Sequence, residues 1–189
     1  MKKIVLSTLA AVTVASSLSA LSLPTPSSKV FDKEVSDTAM SSVDFAYGKT
    51  DLDTVSADSM NTYNITSTFI KHISKGFGVG FGMNAEMIVD KALPNDSITN
   101  VGGELKVGYT LGEAFHIPLF FRAGAGYGYA YNSNAALRGG GFQWSADVNY
   151  RFWKHLGLGV RYKSLNANFS DGIPSDTFKT TLGYVSIVF

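Results

Sequence analysis

The 189-residue chain contains no cysteine. Disulfide frameworks, thiolate metal centres and thiol nucleophiles are therefore excluded. The absence also argues against a lipoprotein anchor, which needs a modified cysteine at the processed N-terminus. Charge is scarce as well: 16% of residues are charged and the formal net charge is +1. Lys2 and Lys3 fall in a leader described below; without them the 16 basic residues become 14 against 15 acidic, and the remaining chain is about neutral. Such a balance does not attract a phosphate backbone, so nucleic acid is not an expected partner. Outside the leader no apolar run approaches the ~20 residues of a membrane-spanning helix. What the chain does hold is 45% apolar residues, with 13 Phe, 9 Tyr and 19 Gly. That mixture is too apolar and aromatic for a disordered polymer, and the length suits one domain plus extras.

The N-terminus reads as an address. Met1-Lys2-Lys3 is a basic start, Ile4 to Val14 is a continuous run of apolar and small residues, and Ser16 to Ser22 is small and polar, broken by leucines. This is the pattern of a secretory signal peptide over residues 1–22, with cleavage after Ala20 or Ser22. A membrane anchor is the alternative, but the run is shorter than a spanning helix requires. Residues 23–39, with Pro24, Pro26 and mixed charges, read as a flexible lead-in.

From Met40 onward the apolar residues recur at every second position, the period of a strand and not of a helix. The runs are 43–47, 63–69, 77–87, 101–111, 119–131, 142–152, 156–162 and, least cleanly, 178–189. In 77–87, for example, Phe77, Val79, Phe81, Met83, Ala85 and Met87 alternate with Gly78, Gly80, Gly82, Asn84 and Glu86. A soluble sandwich would also alternate, and three further features bear on the choice. Connectors alternate between polar stretches (51–60, 89–99, 132–141 and 165–177) and tight links near Lys75-Gly76, Gly112-Glu113 and Trp153-Lys154. Short turns at one end and longer loops at the other are the mark of outer-membrane barrels. The polar face carries Asp44, Glu86, Glu104 and Asp147 with Lys106, Arg122, Arg151, Arg161 and Lys163, four acids against five bases. Inside a narrow barrel these would neutralise one another, as burial requires. Aromatic residues gather near strand ends: Tyr127, Tyr129, Tyr131, Phe142 and Trp144 toward one, Phe115, Phe152 and Trp153 toward the other. Such girdles suit lipid headgroup zones.

The expected fold is thus all-β: a closed, antiparallel, eight-stranded transmembrane β-barrel of up-and-down topology over residues 40–189. In hydrocarbon every backbone N–H and C=O needs a partner, and only a closed sheet leaves no edge.

The chain ends Tyr184-Val185-Ser186-Ile187-Val188-Phe189. With the leader and the eight alternating runs, this final strand resembles those of the small outer-membrane barrel families of the OmpX, OmpA-barrel and opacity-protein type. The resemblance covers the stretch from about Met40 to Phe189 and is architectural apart from the terminal pattern. It implies integral placement in a Gram-negative outer membrane. Val185, Ile187 and Phe189 would form the signal read by the barrel-assembly machinery. Membrane lipids and lipopolysaccharide are implied as partners, with an external surface or host ligand as a further one. The implied roles are envelope integrity or adhesion, with at most weak pore activity.

Reactive chemistry finds little support. His72, His116 and His155 all map to the short-turn end, on three different turns and without metal-ligand spacing. There is no G-x-S-x-G elbow. The glycine runs 76–80 and 124–128 lack nucleotide-loop spacing and read as inward strand glycines leaving room for Arg122, Arg151 and Arg161. The inward carboxylates could serve as an acid/base pair, although a salt-bridge plug is the simpler reading. Leu137-Arg138-Gly139-Gly140-Gly141 and the acidic Asp51, Asp53 and Asp58 read as solvated loops. No cofactor and no metal are expected. A non-enzymatic envelope protein is the leading function, a small pore the alternative and a lipid-modifying enzyme a third class.

Overall fold

A computed structural model describes Ser36 and residues 38–53, 59–89, 97–132, 138–170 and 175–189. The expected signal peptide and nearly all of the lead-in lie outside the described residues.

Eight strands follow one another in sequence: β1 (Ser42–Leu52), β2 (Met60–Ser74), β3 (Phe77–Val89), β4 (Ser97–Thr110), β5 (Leu119–Asn132), β6 (Arg138–Trp153), β7 (Leu156–Phe169) and β8 (Asp176–Val188). Each pairs antiparallel with the next, and β1 pairs with β8 from Ser42↔Val188 to Leu52↔Phe178, closing the barrel. Closure removes both sheet edges, so backbone donors and acceptors along the ring meet partners inside it. The strands are 11 to 16 residues long. Each therefore equals or exceeds the ~9–11 tilted residues that cross a bilayer.

The side-chain period of two divides the barrel into two surfaces. Phe45, Tyr47, Leu105, Val107, Phe121, Trp144, Leu158, Val160 and Val185 point outward and are exposed, while Asp44, Glu104, Lys106, Arg122, Asp147 and Arg161 point inward and are buried. This inverts a soluble protein, in which a continuous exposed apolar face would be a liability. Aromatic pairs reinforce the outer surface near both ends: Tyr47 and Tyr63 approach to 5.3 Å toward the loop end, Phe69 and Phe81 to 5.3 Å toward the turn end.

Two local features set the short-turn end. Lys75 (φ 51°) and Gly76 (φ 78°) both lie in the left-handed region, as the two-residue turn joining β2 and β3 requires. Between β4 and β5 the sequence suggests a tight link at Gly112-Glu113; the connection instead runs through residues 111–118 and contains a helical turn, α1 (Gly112–Phe115). Thr110 Oγ1 accepts the Gly112 amide at 3.0 Å and starts that turn, and His116 (φ 54°) ends it.

At the other end the strands run further than alternation suggests. Residues 53–59, 90–96, 133–137 and 170–175 connect them, so these loops are five to seven residues long, shorter than the expected stretches of about ten. Arg138–Gly141, read from sequence as loop, opens β6, and Asp51 lies in β1; Leu137 and Asp58 lie outside the described residues. Close strand approach accounts for Gly80: a Cβ there would fall inside the carbonyl oxygen of Phe69 on β2.

Candidate functional site: the sealed lumen

The lumen is where the strands bring distant polar residues together. At its centre Arg122 from β5 donates from Nε to Asp147 Oδ1 of β6 at 2.7 Å and from Nη2 to Asp44 Oδ2 of β1 at 2.9 Å. Its Nη1 reaches Ser42 Oγ at 2.6 Å. Arg161 from β7 faces the same two carboxylates: its Nη2 donates to Asp44, its Nε lies 3.3 Å from Asp147 Oδ2, and its Nη1 donates to Thr66 Oγ1 at 2.7 Å. Tyr184 of β8 donates to Asp147 Oδ1 at 2.9 Å, and the Arg161 guanidinium sits 4.9 Å from the centre of the Tyr184 ring. Two arginines and two aspartates from four strands thus form one charge-balanced core, with hydroxyls occupying further positions. The fork geometry of guanidinium suits such bridging between carboxylates.

Two lysine pairs flank this core. Lys106 Nζ lies 2.7 Å from Glu104 Oε2, and Ser145 bridges the pair at 2.5 Å and 2.6 Å. Lys163 Nζ donates to Glu86 Oε2 at 2.6 Å, where Asn100 also donates at 2.6 Å. Eight of the nine charged residues assigned to the lumen from sequence are therefore buried and paired there. Arg151 is the exception. The β6–β7 register shifts between Arg151 and Trp153, and Arg151 Nη1 instead meets the Ser36 carbonyl at 2.8 Å on the turn-end rim. Removing it from the lumen leaves four acids and four bases.

The glycines make room for other side chains than the arginines. A Cβ at Gly124 would lie 2.6 Å from Lys106 Cδ, and one at Gly78 would lie 2.7 Å from Met40 Cε. Gly102 and Gly128 seat the Gln143 amide.

Both mouths of the charged layer are closed by apolar clusters. At the loop end Met60, Ile88, Ala130, Leu165, Ala167 and Phe178 pack together inside the barrel. At the turn end Met40, Ile70, Phe120 and Val188 do the same. Met40 precedes β1 and is only 1% exposed. Its segment is tied in place because Ser41 Oγ accepts the Ile70 amide at 2.9 Å and the Phe189 amide donates to Ser41 O at 3.0 Å. A polar cavity in the lumen measures about 10 Å³, about the room of one water.

The histidines lie at the turn end. His72 Nε2 is 2.8 Å from Glu113 Oε2, and the Gly76 amide donates to the same oxygen. This clasp joins the β2–β3 turn to α1, and the His72 hydrogen bond, followed by that of Gly76, holds the Glu113 carboxyl below its ordinary pKa. His155 Nδ1 is 3.1 Å from the Val188 carbonyl, and His116 caps α1. Of the loop acids, Asp53 pairs with Lys179 at 2.7 Å. On β8, Val185 and Ile187 point outward, and the terminal Phe189 ring meets Phe69 at 5.9 Å.

This architecture is shared with solved structures. Neisserial surface protein A is 12% identical, with a TM-score of 0.56 over 79% of this chain and 96% of that one. Ail, the attachment invasion locus protein of Yersinia pestis, is 13% identical, with a TM-score of 0.51 over 80% of this chain and 99% of that one. The fold is that of the small eight-stranded outer-membrane β-barrels. At these identities the likeness extends to the barrel and not to any ligand. No family model and no curated protein sequence matches the chain.

Sequence reading missed the two apolar seals, Tyr184 and the Met40 segment. A signal for the loop-end seal was present: in β7 the apolar residues move from outward Leu158, Val160 and Tyr162 to inward Leu165 and Ala167.

Proposed function

We propose that the chain is an integral outer-membrane protein whose barrel is a closed, non-conducting and non-enzymatic scaffold, serving envelope structure, with surface contact confined to the loop-end rim. The observation that carries this reading is the filled lumen: an ion-paired layer between two apolar clusters, holding a polar cavity of about 10 Å³. A pore needs a continuous wetted path, and apolar constrictions dewet. The short loops favour a structural role over dedicated adhesion, since five to seven residues present little contact area. A surface role nevertheless fits the likeness to Neisserial surface protein A and the attachment invasion locus protein.

The lumen carboxylates are engaged by cations, which argues against their use as a free acid/base pair. The proposed partners are membrane lipids, lipopolysaccharide at the rim, and the barrel-assembly machinery acting on Val185, Ile187 and Phe189 after export by a cleaved leader. Refolded protein in a planar bilayer is expected to give no stable conductance steps; regular steps at physiological salt would refute the closed scaffold. Incubation with lipopolysaccharide and phospholipid is expected to leave all acyl chains unchanged by mass spectrometry.

A further inference from the structure

The small polar cavity lies within the ion-paired layer. Lys106, Arg161 and Lys163 line it, each already paired with a carboxylate, together with Asn64 and Asn84. Two of its groups have no partner among the described residues: Asn64 Nδ2 and Asn84 Nδ2, on residues 4% and 9% exposed. The surrounding hydrogen bonds engage the oxygen of each amide. Arg161 donates to Thr66 Oγ1, and the Thr66 hydroxyl donates in turn to Asn64 Oδ1 at 2.8 Å. Gln143 Nε2 donates to Asn84 Oδ1 at 3.1 Å and lies 3.5 Å from the Gly103 carbonyl. The hydroxyls are spent: Thr66 on Asn64, and Ser145 on Glu104 at 2.6 Å.

We infer that this cavity is a binding site for one compact hydrogen-bond acceptor, held by Asn64 Nδ2 and Asn84 Nδ2 and favoured by Lys106, Arg161 and Lys163. A buried amide donor without an acceptor costs about 1–3 kcal/mol, and one occupant relieves two such donors at once. A halide ion and a single water share the required chemistry: both are small, accept from several directions and suit a cavity of about 10 Å³. The apolar clusters at both mouths would keep such an occupant from exchanging freely.

The test is a high-resolution crystal structure of the refolded protein, grown once in sodium chloride and once in sodium bromide. The expected result is one density peak within hydrogen-bond distance of both amide nitrogens. An anomalous bromide signal at that peak identifies the halide form; a peak without it identifies water. Absence of any peak, or a peak touching neither amide, overturns the site. Asn84→Leu removes one donor and fills the space. Its folded band on unboiled gels should persist while the peak disappears, and a peak unchanged in position would also overturn the assignment.

Discussion

Arg122 shows how much of this barrel depends on single buried side chains. Its guanidinium contacts Asp44 and Asp147 directly and is 2% exposed. Replacing it with methionine keeps the volume but leaves two carboxylates facing Arg161 alone. Removing one partner from a buried ionic network costs about 3–5 kcal/mol. Arg122→Met should lower the urea midpoint of the folded band accordingly, and adding Asp147→Asn should recover part of the loss by restoring charge balance. An Arg122→Met midpoint equal to wild type would mean that the core pairs contribute little. At the turn end, Glu113 makes the opposite kind of contact, exposed and local. Its folded pKa lies below the unfolded value of roughly 4.3. The His72–Glu113 clasp therefore contributes above that value and is lost as pH falls through the lower, folded pKa. Exchange of the Gly76 amide should accelerate over that acidic window, and Glu113→Gln should make it fast already at neutral pH.

Strands are the scale at which the sequence speaks most clearly. Through the middle of each, the outward residue meets hydrocarbon and the inward one a polar lumen, so alternation identifies both the strand and its facing. β3 and β5 are readable in this way almost residue by residue. Toward the loop end the rule inverts. The outward face leaves the membrane, and β7 places Ser164, Asn166 and Asn168 there, while Leu165 and Ala167 turn inward to build the seal. A reader tracking a constant apolar phase stops at Tyr162, which is why the strands run longer and the loops shorter than expected. Arg151 misled for a related reason: it keeps the inward parity, but the bulge beside it carries the strand out to the rim. The sequence placed the start of the barrel at Met40 but not its sealing role, because Met40 acts through one side chain seated over Gly78 and Gly108. Met40→Ala should cost about 2–5 kcal/mol, as large-to-small core changes do, measurable in the same urea titration. A cost near zero would mean that the turn-end cluster is not a packed core.

The molecule as a whole reverses the arrangement of a soluble protein, placing its charges inside and its aromatic and aliphatic residues outside. The ring has no edge, the paired charges of the lumen balance, and an apolar cluster packs at each end of them. The exposed apolar belt of such a barrel lies in hydrocarbon. Leu105 sits within that belt on β4 and is 78% exposed. On a water-facing surface, replacing it with arginine would change stability by no more than about 0.5 kcal/mol. On the lipid face near the bilayer midplane the same change costs about 2–4 kcal/mol. The most direct measurement is the unfolding free energy of Leu105→Arg against wild type in phospholipid bilayers. A loss in the upper range is predicted, and a neutral substitution would contradict the membrane-spanning barrel.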